Sequence, residues 1–241
     1  MSNLKIDYFQ DYDIFSQTAA ELVCQQLARK PDSCFVFATG FTPLGLFDRL
    51  SAAYRLGKAS FQSSFLIELD DYYGIHPSDP KNLFQWLSKA FLDRVDFPIH
   101  QTVRFQTDVQ DPDRECLRIE DEIQSLGGID FLVLGLGANG HLGFNEPGSS
   151  FQSRTRVVKL TEASLQSSQR YWGEDSKVPG KGFTLGLGTL AEARKTLLLV
   201  SGKEKKPVLK KLLTQPPSPD LPASAVHHFD DVRILSDLKI S

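Results

Sequence analysis

Two adjacent carboxylates end an apolar run in the segment ELDDYYG (68–74). Asp70 and Asp71 follow residues of strand character, and the carboxyl ends of parallel strands are where α/β proteins bind ligands. Partial burial raises the pKa of a carboxyl group, which can then carry a proton to and from a substrate. A capping or turn aspartate is the alternative interpretation, and the choice depends on whether other catalytic groups lie nearby.

The segment GLGANGHLGFNEPG (135–148) places polar side chains in a glycine-rich loop after a buried strand. Its first six residues match the G-x-G-x-x-G pattern of dinucleotide sites. The proline and glycine at its end exclude the helix that such a site requires, so we reject that interpretation. Polar groups concentrated in such a loop usually face a ligand. The loop presents Asn139, His141, Asn145 and Glu146.

The segment ATGFTP (38–43) has the composition of an anion site. A strand runs into Thr39 and Gly40, and a helix is expected to start at Thr42 and Pro43, where exposed amides and two hydroxyls could hold a phosphate. A tight strand-to-helix turn with a threonine cap explains the same residues equally well.

Two later basic residues complete a possible phosphate site. Arg170 lies on a predicted helix, and Lys205 follows a predicted strand just before another helix. Arginine offers phosphate a two-pronged fork, and lysine a point charge. The neighbouring lysines 203, 206, 210 and 211 are expected to form a solvated helix face.

Strand-length apolar runs alternate with segments of helical periodicity along the chain. The expected strands are 34–39, 64–70, 129–137, 155–161, 195–202 and 231–237, and the expected helices are 14–28, a segment from Pro43, 111–126, 163–172 and 204–214. This alternation predicts a single α/β domain over residues 1–241, with a mostly parallel, Rossmann-like sheet flanked by helices.

Composition excludes several classes of function. The chain has 241 residues, 24% of them charged, and a net charge of −3, so a nucleic-acid partner has no electrostatic support. No apolar stretch is long enough for a signal core or a membrane span, which predicts a cytoplasmic protein with no membrane partner. The three cysteines are odd in number and widely spaced, so free thiols are expected and a metal site is not.

Together, the motifs resemble those of the glucosamine-6-phosphate deaminase family, which is related to 6-phosphogluconolactonase. The resemblance covers nearly the whole chain and is specific because the motifs occur jointly. They are T-G-x-T-P (39–43), L-D-[DE]-Y-x-G (69–74), N-G-H-x-G-F-N-E-P (139–147), S-R-T-R (153–156), LGLGTL (185–190) and PASA (222–225).

The resemblance implies a role for each matching residue. Asp70 matches the base that shuttles a proton, and His141 matches the histidine that opens the sugar ring. Glu146 and Asn139 match the residues that partner this histidine. The positions that match phosphate-binding residues are Thr39, Gly40, Phe41, Thr42, Arg170 and Lys205. Residues 72–91 lie where the family has a mobile lid.

Three features depart from the family pattern. Asn139 stands where many members have Asp, and Phe41 stands where the phosphate loop commonly has a small residue. The chain also ends soon after its last predicted strand, and Val158 replaces a lysine that binds the effector phosphate in allosteric members. The resemblance therefore implies an enzyme without allosteric activation.

The predicted reaction is the isomerisation and deamination of glucosamine 6-phosphate to fructose 6-phosphate and ammonia. It is acid–base chemistry on a small sugar phosphate and implies neither a metal nor an organic cofactor. The same reaction on galactosamine 6-phosphate and lactone hydrolysis are the alternatives. A sugar-phosphate sensor is less suitable, because no DNA-binding module fits in the chain. The family ranges from monomers to hexamers, so a homo-oligomer is among the states it allows.

Overall fold

The computed structural model describes residues 4–172 and 178–240, without the side chains of Ser167, Arg170 and Tyr171. The strands in these residues are β1 (Lys5–Tyr8), β2 (Cys34–Phe37), β3 (Phe65–Glu68), β4 (Asp70–Tyr72), β5 (Thr102–Val103), β6 (Phe131–Gly135), β7 (Arg156–Lys159), β8 (Lys181–Thr184), β9 (Thr196–Val200) and β10 (Val232–Ser236). The α-helices are α1 (Tyr12–Arg29), α2 (Leu44–Arg55), α3 (Leu83–Ala90), α4 (Pro112–Ser125), α5 (Glu162–Trp172), α6 (Leu187–Ala191) and α7 (Lys206–Thr214).

The main sheet has seven strands in the order β1-β10-β9-β6-β2-β3-β5, and its pairs are parallel. The chain reverses its direction across the sheet between β2 and β6, where Val36 pairs with Leu132. The apolar sides of the helices cover both faces of the sheet, which explains why the central strands are continuous apolar runs rather than alternating ones. The predicted α/β fold, a mostly parallel sheet flanked by helices, is confirmed.

An aromatic cluster fills one face of the sheet. The rings of Phe37, Phe47 and Phe91 contact one another, with centroids 4.9 to 5.9 Å apart. Phe91 directly follows α3, so this packing fixes the end of that helix against the sheet. Helix α3 lies within residues 72–91, the segment predicted to be a lid.

A second, antiparallel sheet of three strands in the order β4-β8-β7 lies beyond the end of β3. Residues 64–70 were expected to be one strand, but the chain turns at Leu69 and Asp70 opens β4, where it pairs with Thr184. The predicted strand 155–161 corresponds to β7 and belongs to this small sheet rather than to the parallel one. Asp70 therefore belongs to the small sheet, two residues beyond the end of the parallel strand β3.

An ionic network ties together the amino ends of the central strands. Asp130 directly precedes β6, and its carboxylate accepts hydrogen bonds from Lys30, from the backbone N–H of Cys34 at the start of β2, and from Arg194. Lys195, just before β9, contacts Gln26 at the end of α1. This network lies at the edge of the sheet opposite the segments described next.

In the described part of the chain, we find no helix that combines the length and the apolar character needed to cross a membrane. Cys24, Cys34 and Cys116 are free thiols, as expected.

Candidate active site

A cavity of about 570 Å³ opens at the carboxyl ends of the parallel strands. It is lined by residues 38–42 after β2, by Asp70 after β3, by residues 135–139 after β6 and by Lys205 after β9. The loops after β2 and β6 flank the point where the strand order reverses, which is the usual ligand site of open parallel sheets. Its volume suits a small ligand such as a sugar phosphate.

The carboxyl group of Asp70 lies in the wall of this cavity, and the residue is only 5% exposed. Its Oδ1 atom is buried without a hydrogen-bond partner. Burial, and next the negative charge of Asp71, raise the pKa of Asp70 to about 8. A carboxyl with such a pKa can both accept and return a proton near neutral pH.

His141 contributes an imidazole to the same cavity, and Glu146 lies behind it. Glu146 Oε2 lies 3.6 Å from Nδ1 of His141 and accepts a hydrogen bond of 2.9 Å from the side-chain amide of Asn139. Burial would raise the pKa of Glu146, but hydrogen bonds from His141, Ser164 and Asn139 lower it to about 2. The ionised carboxylate favours a proton on Nδ1, which leaves Nε2 to exchange a proton with a ligand.

Asn139 does not contact the imidazole directly. Its Oδ1 accepts from the backbone N–H of His141, and its amide donates to Glu146. An aspartate could not make the second hydrogen bond while ionised. At this position the departure from the family pattern thus supplies a donor to the carboxylate rather than a second negative charge.

Gly137 permits the imidazole to lie where it does. A Cβ atom at this position would lie 2.2 Å from Cδ2 and 2.3 Å from Nε2 of His141. Any side chain there would push the ring away from its present place. Gly137 of the G-x-G segment thus makes room for the imidazole of His141.

The loop after β2 forms another part of the cavity wall and contains Thr39, Gly40, Phe41 and Thr42. Gly40 has φ +100°, a backbone conformation that side chains other than glycine rarely adopt. The helix was expected from Pro43, but α2 begins at Leu44, and no side chain caps its first turn. Phe41 is 55% exposed at the cavity wall.

Tyr12 fixes this loop, a contact that the sequence did not predict. Its hydroxyl lies 2.9 Å from the carbonyl oxygen of Thr42 and 3.2 Å from that of Phe41, and it accepts a hydrogen bond from the N–H of Gly45. The first residue of α1 therefore holds the loop and the start of α2 together.

Lys205 approaches the loop from the opposite side. Its ammonium group donates a hydrogen bond of 2.7 Å to Oγ1 of Thr42, and burial lowers the pKa of Lys205. The other lysines of this region are exposed, as expected of a solvated face: they are Lys203, Lys206, Lys210 and Lys211. Arg170 lies on α5, which contributes other residues to the cavity, but its side chain is outside the described part of the structure.

Helix α5 adds a residue that sequence patterns did not indicate. Ser164 is buried, and its hydroxyl lies 3.3 Å from Nδ1 of His141. Nδ1 of His141 thus faces two groups, the Ser164 hydroxyl at 3.3 Å and the Glu146 carboxylate at 3.6 Å, which together fix the orientation of the ring. Trp86 and Trp172 also line the cavity.

Asn145 was expected to face a ligand, but its side chain is directed into the protein. It is fully buried, and its amide donates to the carbonyl oxygens of Leu142 and Leu185, while its oxygen accepts from Arg156. These bonds hold the loop in shape below the cavity.

Among the described residues, no group of three or more His, Cys, Asp or Glu side chains is arranged to hold a metal ion.

Comparison with known proteins identifies the family of the chain. Residues 12–234 match the family model described as glucosamine-6-phosphate isomerases/6-phosphogluconolactonase. A glucosamine-6-phosphate deaminase 1 of Bacillus subtilis (strain 168) is 38% identical over 234 residues, which cover 97% of each chain. A glucosamine-6-phosphate deaminase of Geobacillus sp. (strain WCH70) is 36% identical, over 97% of this chain and 93% of that protein.

Solved structures show the same similarity. The structure of a monomeric glucosamine-6-phosphate deaminase has a TM-score of 0.94 and 37% identity, over 97% of both chains. A 6-phosphogluconolactonase of Thermotoga maritima has a TM-score of 0.75 at 20% identity, over 97% of this chain and 99% of that one, and so shares the fold. By the family model and by its full-length relatives, the chain belongs to the family of glucosamine-6-phosphate isomerases and 6-phosphogluconolactonases.

Proposed function

We propose that this chain is a glucosamine-6-phosphate deaminase, an enzyme of amino sugar metabolism that converts glucosamine 6-phosphate and water to fructose 6-phosphate and ammonia. One observation carries the proposal: Asp70, His141 and Lys205, which come from three separate strand ends, line one cavity of suitable volume. The full-length relatives that bear this activity in their names support the same conclusion. Because phosphorylated sugars are retained inside cells, we also propose a cytoplasmic location.

The phosphate of the substrate would bind at the part of the cavity wall formed by the loop after β2. There the loop of residues 39–42 presents two hydroxyls and backbone amides beside the ammonium group of Lys205. Arg170, on α5, is proposed as a second cation for the dianion. Such anchoring fixes the reacting carbons of the sugar relative to the groups that move protons.

His141 would open the sugar ring. With Nδ1 directed toward Ser164 and Glu146, Nε2 is the atom left to pass a proton to the ring oxygen. Glu146 and Ser164 hold the ring on its Nδ1 side while Nε2 passes the proton. Opening exposes the C1 aldehyde and makes the hydrogen on C2 acidic.

Asp70 would then remove the C2 proton and return it to C1, passing through an enolamine. The product of that transfer is an imine at C2. Addition of water and loss of the amine give the ketone and ammonia, so the atoms balance with one water consumed. A base whose pKa lies near 8 suits both directions of this transfer.

We propose that residues 72–91 act as the lid over this reaction. Leu83 and Trp86, both on α3, line the cavity, so a shift of this helix would change access to it. Closure of such a segment excludes water from the enolamine intermediate.

The test is direct. Purified protein is incubated with glucosamine 6-phosphate, and ammonia and fructose 6-phosphate are measured in separate assays, with Asp70→Asn as the matched control. Galactosamine 6-phosphate and 6-phosphogluconolactone are assayed in parallel. Equal formation of both products, at least a hundredfold slower in the variant, is expected from loss of a general base, which costs about 10²–10⁴-fold. Lactone hydrolysis without ammonia release, or an unaffected variant, would refute the proposal.

A further inference from the structure

Two further carboxyl groups lie buried beneath Asp70. Glu68 is the last residue of β3 and is 3% exposed, while Asp71 is the middle residue of β4 and is fully buried. Neither is among the described residues that line the cavity. The proposed reaction gives them no task, yet burying two acids is costly unless they are partnered.

Each acid has one oxygen satisfied by the backbone. Glu68 Oε2 accepts a hydrogen bond of 2.8 Å from the N–H of Phe105. Asp71 Oδ1 accepts two, of 2.7 Å from Tyr72 and 2.9 Å from Leu83. The remaining oxygens, Glu68 Oε1 and Asp71 Oδ2, are buried and meet no N–H or hydroxyl donor.

Two ionised carboxylates, which only accept hydrogen bonds, would leave both of these buried oxygens without a donor. One proton held between the two side chains, whose charges act on each other, would supply the missing hydrogen. Asp71 receives more backbone hydrogen bonds, which favour its ionised form. Burial, and next the charge of Asp71, raise the pKa of Glu68 well above its usual range, so Glu68 is the member that holds the proton.

We propose that Glu68 and Asp71 share one proton and act as a pair of positioning residues that keep a single buried negative charge beside Asp70. This inference rests on the proposed function, in which Asp70 is the base. The charge on Asp71 opposes ionisation of Asp70 and so keeps the base able to return its proton. Through the N–H of Leu83, Asp71 also anchors the first turn of α3, whose Trp86 lines the cavity.

The other titratable groups around Asp70 differ from Glu68 and Asp71 in their burial or in their position relative to the cavity. The described titratable residues that act on Asp70 or share its cavity are Asp71 and Tyr72 on its own strand, Glu68 on β3, and Tyr12, His141, Glu204 and Lys205 in the cavity wall. Of these, Glu68 and Asp71 alone are both buried and outside the cavity. Their charge is therefore beyond the reach of substrate and solvent.

The experiment uses four forms of the full chain: wild type, Glu68→Gln, Asp71→Asn and the double variant. In Glu68→Gln the amide donates to Asp71, which keeps its charge. In Asp71→Asn the amide donates to Glu68, which takes up the charge. Only the double variant removes the charge from the pair.

The pH dependence of kcat for ammonia release distinguishes these cases. We expect the acidic limb to stay nearly in place in each single variant and to move to lower pH by about one unit or more in the double variant. The phosphate of the substrate also ionises in this pH range, but it does so equally with all four proteins. Its contribution therefore cancels when their pH profiles are compared. An unmoved limb in the double variant, or single variants that move as far as the double one, would overturn the proposal.

A second measurement needs no activity. In the wild-type protein labelled with ¹³C at the glutamate carboxyl, the Glu68 signal, assigned by its loss in Glu68→Gln, should report a protonated acid at pH 7. An ionised Glu68 at that pH overturns the shared proton. Absence of ammonia release in the wild type would refute the proposed function instead, and the carboxyl titration would still decide whether the proton is shared.

Discussion

Replacing Asp70 by Asn should stabilise the folded protein near neutral pH while it removes the activity. Asp70 is 5% exposed, and its Oδ1 atom is buried without a partner. Burial first, and then the charge of Asp71, raise its pKa to about 8. The folded chain thus holds a proton that the unfolded chain releases, and this difference costs stability.

The sign and size follow from proton linkage. An aspartate in the unfolded chain ionises near pH 3.9 and the folded one near pH 8, so the unfolded state binds fewer protons between these values and stability falls as pH rises through this window. A pH of 7 lies about three units above the pKa of an unfolded aspartate, and each unit corresponds to about 1.4 kcal/mol. The protonation of Asp70 therefore lowers the free energy of unfolding at pH 7 by at most about 4 kcal/mol. We expect Asp70→Asn to recover about 1–4 kcal/mol at pH 7 and little at pH 4.

Urea unfolding of both proteins at pH 4, 6 and 7, with the free energy of unfolding extrapolated to water, measures this effect. Asp130→Asn is the matched control, because Asp130 is a buried aspartate paired with Lys30 and Arg194. Its loss leaves two cations without their partner and should destabilise the protein. An Asp70→Asn protein that is less stable than wild type at pH 7, or equally changed at pH 4 and pH 7, would refute the reasoning.

Three further substitutions test the site. Lys205→Ala should raise KM for the sugar phosphate about 10- to 100-fold, since a hydrogen bond to a charged group contributes about 1.5–3 kcal/mol, while Lys211→Ala on the exposed face of α7 leaves KM unchanged. Gly137→Ala should lower kcat at least tenfold by displacing the imidazole, whereas Gly180→Ala, where a Cβ meets nothing within 4 Å, should not. Tyr12→Phe removes the hydroxyl that fixes the phosphate loop, worth about 0.5–1.5 kcal/mol, and should raise KM about two- to tenfold with a smaller change in kcat. Initial-rate kinetics check all three, and a Lys205→Ala enzyme with wild-type KM would contradict the phosphate site.

The parallel sheet was predictable because its strands have a strong local signal. CFVFAT and IDFLVLGLG are continuous apolar runs, and they form β2 and β6 in the centre of the sheet. β4 and β8 have no such signal, since the sequences DDY and KGFT contain charged residues and a glycine. Their strand structure depends on pairing with each other, a contact between segments more than a hundred residues apart.

The site was predictable in outline for a related reason. Parallel strands end at one edge, so polar residues after β2, β3, β6 and β9 had to lie near one another. The contacts of Tyr12 and Ser164 were not predictable, because they join a helix to a loop distant in sequence. The burial of the polar side chains of Asn145, Glu68 and Asp71 depends on what packs around them, which no local pattern encodes.

The ionic network around Asp130 lies far from the cavity, so substitutions in the network can change stability with little effect on the groups in the cavity. Strands of four or five residues separate it from the cavity, a span of about 15 Å. At that distance two unit charges interact by only about 1 kcal/mol at an effective dielectric constant of about 20. A surface charge gained or lost near Lys30 or Arg194, whose side chains are partly exposed to water, therefore has a small effect on the groups that line the cavity. Thermal stability can therefore be adjusted at one edge of the sheet, by engineering or by natural variation, while the pH optimum set at the other edge is preserved.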